Sequence, residues 1–146
     1  MARGLAVVLT AIAGALVAMQ APINSKLGKA VGTFPAATVS FTIGLVVLVG
    51  IAAVAGDAAR VADARHVPWW YLVGGLLGAA YVSTVLVTVR SLGAGGVTAA
   101  TIAGQLAMAV VIDQLGWLGV ARQPVTAARL AGVALLAAGV YLIVRD

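Results

Sequence analysis

The stretch PAATVSFTIGLVVLVGIAAVA, residues 35–55, decides the fold of this chain. It carries no charge, and no charged residue lies anywhere between Lys29 and Asp57. A bilayer core is about 30 Å thick and takes roughly 20 apolar residues to cross as a helix. The stretch therefore has the length and composition of a membrane-spanning helix. Its lack of strict apolar/polar alternation argues against a barrel strand.

The composition of the whole chain agrees with this interpretation. Of its 146 residues, 63% are hydrophobic and only 9% are charged. Soluble domains are about half apolar and about a quarter charged. A soluble chain of this length exposes too much surface to hide the excess, because small domains bury a smaller fraction of their surface. The sequence predicts an integral membrane protein.

The remaining charges divide the chain into further apolar runs. Helices, rather than a closed barrel, follow from the length of these runs. We predict an all-α integral membrane protein, folded as a single domain over residues 1–146. It should contain five transmembrane helices, at about 3–21, 35–55, 68–89, 97–118 and 126–144.

Proline and glycine mark the expected ends of these helices. Pro22 and Asn24 are predicted to end the first helix, because proline lacks the N–H that a continuing helix needs. Pro124 and Thr126 should open the fifth helix. A turn is expected before the fourth helix, formed by Gly93, Gly95 and Gly96.

Several classes of function have no support in the residues. The chain has no cysteine and only one histidine, so no cluster with metal-ligand spacing is present. It contains neither a phosphate-binding glycine loop nor a nucleophile elbow. Its nine Lys and Arg residues are scattered between apolar runs and form no nucleic-acid patch. We therefore predict no enzyme activity, no cofactor, no metal and no nucleic-acid partner.

The basic residues are almost evenly divided between the two sides of the membrane. Five predicted spans place Arg3, Arg60, Arg65, Arg122 and Arg129 on one side. The other side receives Lys26, Lys29, Arg90 and Arg145. Orientation normally follows an excess of Lys and Arg on the cytoplasmic side. A chain without that excess can insert both ways and pair with an inverted copy of itself. A dominant N-terminus, or an Arg129 that lies inside the span, would instead give one orientation.

Five stretches in order along the chain carry a resemblance to a known family. They are QAPINSKLGKAVG, SFTIG, PWWYLVGGLLGAAYV, GQLAMAVVIDQLGWLG and PVTAARLAGVALLAAGVYLI. Together they resemble the YdcZ-like family of the drug/metabolite transporter superfamily, over nearly the whole chain. The family often has His after the Asp of the fourth stretch, where this chain has Gln114. That departure weakens an Asp–His proton relay.

The resemblance implies a small transporter of the bacterial-type cytoplasmic (inner) membrane, crossing it several times. It implies five-helix units that occur singly, in pairs or fused. A single copy would work as an antiparallel, dual-topology homodimer, which is a ten-helix assembly with an inverted repeat. The expected partners are a second copy of the chain, the lipid bilayer and a small-molecule substrate.

Polar side chains within the spans are the candidates for substrate binding and transport, because polar groups in the membrane interior are usually functional. The candidates are Gln20, Asn24, Ser40, Tyr81, Gln105 and Asp113. Gln20 and Asn24 flank Pro22, where they either accompany the end of a helix or form a broken-helix substrate site. Tyr81 either stacks on a cation or simply packs. Gln105 either bonds to a neighbouring helix or binds substrate.

Asp113 is the only acid predicted inside a span. In one interpretation it is a site at which a proton and a cationic substrate compete. In the other it lies near enough to the interface to be hydrated or to pair with Arg122. At 1.5 Å per residue it lies about 8 Å from the middle of its helix. Gln105 precedes it on the same broad face, so the two are predicted to share a cavity.

These observations predict a transporter of a small organic metabolite or drug-like compound that works by alternating access, either uncoupled or coupled to a proton or cation. The cavity is expected between the first four helices of the two copies, with a mainly structural fifth helix. The alternatives are a channel-like pore and a membrane scaffold or accessory subunit that transports nothing.

Overall fold

The computed structural model describes residues 2–145 and is built almost entirely of helices. Its long helices are α1 (Arg3–Val31), α2 (Thr33–Val54), α3 (Val73–Leu115) and α4 (Ala127–Val144). Within the described residues these four are long and apolar enough to cross a membrane. The prediction of an all-α membrane protein is confirmed.

The third helix contains a break that divides it into two arms. Gly93 has φ 67° and ψ 172°, a conformation outside the helical region that glycine adopts without steric penalty. The arms, 73–92 and 94–115, each have the roughly 20 residues that a bilayer core requires. They correspond to the third and fourth predicted spans. The expected three-glycine turn is wrong in extent, since Gly95 and Gly96 are already helical.

The predicted end of the first helix at Pro22 is wrong. Helix α1 runs through Pro22 and ends only at Gly32, whose φ of 94° the residue can adopt because it lacks a side chain. Proline removes one helical hydrogen bond, the one that Ala18 C=O would accept, and leaves the others intact. Three residues beyond Pro22 are buried, namely Asn24, Ser25 and Gly28. Burial against neighbouring helices therefore favours a helix that continues past Pro22. The interpretation of Gln20 and Asn24 as a broken-helix site is wrong as well, because the helix is not broken there.

The chain divides into two compact units, Met1–Arg90 and Ser91–Asp146. In the first unit, the second half of α1 packs against the start of α2 and the end of the first arm of α3. Leu86 is fully buried at the centre of this contact, with Ala36, Ala37 and Val82 around it. Small residues on α1 and α2 let the helix backbones approach, which is how helices associate in lipid.

The second unit is an antiparallel pair formed by the second arm of α3 and α4. At one end a side chain at Gly96 would contact Val144, and at the other end Asp113 bonds to Arg129. Thr126 caps α4 by accepting a hydrogen bond from the backbone of Arg129. The fifth predicted span, 126–144, is thus confirmed to within a residue. The fourth span ends earlier than predicted, at Leu115, because Gly116 turns left-handed with φ 64°.

An exposed connection joins α2 to α3 within the first unit. It consists of two 3₁₀ helices, Ala58–His66 and Trp69–Leu72. Arg60 in the first of them pairs at 3.1 Å with Asp57, the residue that precedes this helix. Trp70 and Tyr71 meet edge-on, with ring centroids 4.2 Å apart. Amphipathic aromatic rings of this kind are typical of the membrane–water interface.

Candidate functional site

A partly buried polar contact joins the first two helices of the first unit. Ser40 of α2 donates its hydroxyl hydrogen to Oδ1 of Asn24 on α1, over 3.1 Å. Asn24 is only 7% exposed, so its amide lies inside the helix packing rather than facing lipid. The Nδ2 group of Asn24 makes no hydrogen bond within residues 2–145. One amide donor therefore remains available at this position.

Gln20 and Tyr81 lie beside this contact. They line one small cavity together with Asn24, at the junction of α1 with the first arm of α3. Further along, the same two helices meet where Gly28 approaches Leu86. Later residues of α1 meet later residues of α3, so these two helices run parallel. The cavity measures only about 10 Å³, room for about one water molecule.

Four of the six candidate residues predicted from the sequence thus lie in one part of the first unit. They share the junction of three helices: Gln20, Asn24, Ser40 and Tyr81. The amides and hydroxyls supply hydrogen-bond donors and acceptors, and no carboxylate accompanies them. The predicted ending of α1 was wrong, yet these residues still come together, because a continuous helix places Gln20 and Asn24 on one face.

A basic side chain lies one helical turn beyond Asn24. A Cβ added at Gly28 would lie 2.9 Å from Leu86 Cδ2 and 3.2 Å from Arg90 Nη2. The guanidinium of Arg90 therefore reaches across to the backbone of α1. Gly28 leaves the room for it. Arg90 is exposed and makes no hydrogen bond or ion pair within residues 2–145.

A larger groove of about 560 Å³ lies between α2 and the first arm of α3. Two phenylalanines, Phe34 and Phe41, form much of its lining. The hydroxyls of Thr38 and Thr42 also line it, but each donates to a carbonyl of its own helix. The groove is consequently an apolar surface that offers few free polar groups for recognition.

In the second unit, Asp113 forms an ion pair that the sequence did not predict. Its Oδ2 accepts a hydrogen bond from Arg129 Nη1 at 3.1 Å, and both side chains are about one-third exposed or less. The expected partner, Arg122, instead donates from Nε to the backbone carbonyl of Gln114. The expected pairing of Asp113 with Arg122 is wrong, and the structure pairs Asp113 with Arg129 instead.

Further hydrogen bonds reinforce this ion pair. Arg129 also donates to Oε1 of Gln123, and the backbone N–H of Gln123 donates to the carbonyl of Asp113 over 2.8 Å. The Oε1 of Gln114 accepts from the backbone of Val125. Hydrogen bonds from both side chains and backbone therefore hold the loop between α3 and α4 against the end of α3.

The sixth candidate, Gln105, stands apart from Asp113. It is exposed and makes no hydrogen bond within residues 2–145. Eight residues separate the two along a helix, a rise of about 12 Å. No hydrogen bond joins them, and Asp113 instead bonds to Arg129 of α4 and to Gln123 of the loop that precedes α4.

Sequence reasoning missed Gly28 and Arg90 in the first unit and Gln123 in the second. A signal existed for Gly28, which follows Asn24 by one helical turn, but the predicted end of the helix at Pro22 concealed it. Arg90 was interpreted only as a charge that marks the end of a span. No three His, Cys, Asp or Glu side chains come together in the part of the chain that the structure describes.

Several apolar helices of spanning length define a multi-pass α-helical membrane protein. A comparison with protein families matches residues 5–142 to the family described as "Putative inner membrane exporter, YdcZ". The chain belongs to the YdcZ family, and it is a multi-pass protein of the inner membrane. No curated protein and no solved structure matches it. The description of the family as an exporter supports the predicted class of membrane transporter at this coarse level.

Proposed function

We propose that the protein exports a small organic metabolite or drug-like compound by alternating access, as an antiparallel homodimer of two oppositely inserted copies. Membership in a family of inner membrane exporters supports the transport class. The observation that carries the proposal is the polar cluster of Gln20, Asn24, Ser40 and Tyr81, with Asn24 buried, in an otherwise apolar helix junction. Polar groups are expensive in the membrane interior, so a cluster of them is a functional candidate.

The size of the cavity supports a role for a second copy. A space of about 10 Å³ holds no organic molecule, whereas ligand pockets are typically several hundred Å³. Gln20 is exposed at the edge of this space and half-buried Tyr81 lies beside it. An inverted copy placed against this edge would enclose a larger chamber with two sets of the same polar groups. The near-equal distribution of Lys and Arg permits the two insertions that such a pair requires.

Asp113 has a different role in this proposal. Its pairing with Arg129 and the bonds of Gln123 hold α4 against the second arm of α3. Coupling through Asp113 would require this network to open in each cycle. We therefore propose that Asp113 is a structural clamp and that the substrate site lies at the cluster on α1, α2 and α3.

The transport proposal can be tested with purified protein. A panel of small metabolites and drug-like compounds would first be screened for an increase in melting temperature, because ligands that bind the native state raise apparent stability. Compounds that stabilise the protein would then be followed into proteoliposomes. We expect saturable flux, reduced at least about tenfold by Asn24→Leu and Gln20→Leu. Gln105→Leu, an equivalent change at an exposed position outside the cluster, is the matched control.

Other outcomes would support the rival functions. Unitary currents in planar bilayers, with flux that does not saturate, would indicate a channel. A scaffold would show no ligand-induced stabilisation across the panel and no flux above protein-free vesicles. Equal loss of flux in the cluster variants and in Gln105→Leu would remove the cluster from the proposal while leaving transport intact.

A further inference from the structure

The charge at the α1–α2 end of the first unit is entirely basic. Lys26, Lys29 and Arg90 lie there, and the acids of the same unit, Asp57 and Asp63, follow the far end of α2. The length of α2 from Ala36 to Val54, at 1.5 Å per residue, separates the basic residues from these acids by roughly 25–30 Å. This distance exceeds the Debye length of about 8 Å at physiological ionic strength, so the basic end is not neutralised by these acids.

Arg90 differs from the two lysines in its position. Lys26 and Lys29 are exposed on other faces of α1. Arg90 instead comes from α3 and lies against Gly28, which shares a face of α1 with Asn24 at a spacing of four residues. One turn of helix, about 6 Å, separates Gly28 from Asn24 along α1. The guanidinium therefore lies about one helical turn from the polar cluster, on the face of α1 that carries Asn24.

Arg90 and Asn24 both offer hydrogen-bond donors that are not used among the described residues. The Arg90 guanidinium carries five N–H donors and no acceptor, and it has no partner within residues 2–145. The Asn24 amide adds its unpaired Nδ2, since its oxygen is taken by Ser40. A guanidinium and an amide N–H that lie near each other, with no carboxylate beside them, are complementary to an oxyanion. A cationic substrate would find no counter-charge there.

We propose that Arg90 binds an oxyanion group of the transported compound, a carboxylate or a phosphate, and that Asn24 donates to the same molecule from one turn away. This inference rests on the proposed transport function and names the substrate class for the same cluster. A guanidinium matches the geometry of a carboxylate or phosphate with two parallel hydrogen bonds. Arg90 is exposed, so the anion reaches it without the helices separating.

A lipid phosphate has the same chemistry as a free anion, so the test compares the two sources. Purified full-length protein in a neutral maltoside detergent would be titrated with benzoate, acetate and inorganic phosphate, with benzamide as the uncharged match of benzoate. A parallel series would add phosphatidylglycerol or phosphatidylcholine to the micelles. The readout is the melting temperature as a function of ligand concentration, which needs no transport.

We expect at least one soluble anion to stabilise the protein, and benzamide to do so much less than benzoate. Arg90→Gln should weaken that anion's apparent affinity by about tenfold or more, since hydrogen bonds to charged groups are among the stronger ones. Arg90→Lys should give an intermediate loss, because it keeps the charge and removes the two-pronged geometry. The matched control is Lys29→Gln, which removes one charge from the same end and should stay within about twofold of the unmodified protein.

Three results would overturn the inference. Stabilisation by phosphatidylglycerol but by none of the soluble anions would assign Arg90 to a lipid headgroup. Stabilisation by none of the probes would leave Arg90 without an anion to bind. Equal anion affinity in Arg90→Gln and in the unmodified protein would place the anion elsewhere. If Arg90→Gln does not fold, the comparison of Arg90→Lys with Lys29→Gln decides in the same way.

The transport proposal and this inference can fail separately. If anion binding depends on Arg90 but the protein shows no flux for any compound, the transport proposal is contradicted and the oxyanion site is still supported. Saturable flux of neutral compounds that is unchanged in Arg90→Gln would support transport and contradict the oxyanion site.

Discussion

Asp113 and Arg129 form an ion pair of 3.1 Å that joins the end of α3 to the first turn of α4. The pair belongs to a larger network. The Arg129 side chain also donates to the side chain of Gln123, and the backbone N–H of Gln123 donates to the backbone carbonyl of Asp113. The only acid predicted inside a span is thereby bound to an arginine of the next helix. This relationship favours a structural role for Asp113.

The first prediction concerns this ion pair. Asp113→Asn should lower the free energy of unfolding by about 1–3 kcal/mol, since it leaves a partly buried arginine without its counter-charge. Arg129→Gln should have a similar cost, and the double variant should cost less than the sum of both. Denaturant unfolding in detergent would measure all three. The flux that remains in Asp113→Asn should follow a pH gradient as it does in the unmodified protein; abolition of the pH response would restore Asp113 as a coupling residue.

A second prediction concerns the hydrogen bond between Ser40 and Asn24. Ser40→Ala removes the donor and leaves the Asn24 oxygen unsatisfied in a buried position, which should cost about 1–3 kcal/mol of unfolding free energy. Thr42→Val is the control, because that hydroxyl bonds only to its own helix at the carbonyl of Thr38. We expect it to change stability by less than about 0.5 kcal/mol. Equal effects of the two variants would show that the interhelical bond contributes nothing particular.

The third prediction tests the close approach at Gly28. Gly28→Ala adds a Cβ only 2.9 Å from Leu86 Cδ2, and overpacking of this kind costs about 1–3 kcal/mol. Gly14→Ala lies on the same helix with nothing within 4 Å, so it should be neutral or should stabilise by up to about 1 kcal/mol. Leu86→Val should partly rescue Gly28→Ala by giving the added methyl group room. The lack of any rescue would point to an effect of Gly28 other than this contact.

A fourth prediction concerns the two orientations of the chain. Reporters fused to the C-terminus, one active in the cytoplasm and one outside it, should both be active in the same cells, because Lys and Arg are nearly balanced. Adding one Lys next to Arg3 should shift the ratio measurably toward the orientation that places Arg3 in the cytoplasm. Adding one Lys next to Lys29 should shift it the other way. A single strong orientation that neither addition disturbs would contradict the dual-topology proposal.

The sequence predicted much of the fold because lipid imposes simple rules on a chain. A backbone in a bilayer must satisfy its own hydrogen bonds, so long uncharged runs become helices. The run at 35–55 appears as Thr33–Val54, and the run at 126–144 appears as Ala127–Val144. The predicted membership in the YdcZ family is confirmed over residues 5–142.

The prediction at Pro22 failed for a reason that sequence rules do not contain. A proline removes one hydrogen bond and usually ends a helix in a soluble setting. Here one face of the segment after Pro22, with Asn24, Leu27 and Gly28, packs against α2 and α3, and that packing outweighs the loss. The extended α1 also places Gly28 under Arg90, a relationship that no local pattern indicated.

The sequence by itself determined that this chain is a helical protein of the membrane, and it indicated which polar residues lie within the helices. Hydropathy and charge act residue by residue, so they can be interpreted along the chain without knowing the fold. Only the tertiary structure decided which polar groups meet. It joined Asn24 to Ser40 and Asp113 to Arg129, because side-chain pairing depends on helix register and on the close packing that small residues such as Gly28 allow.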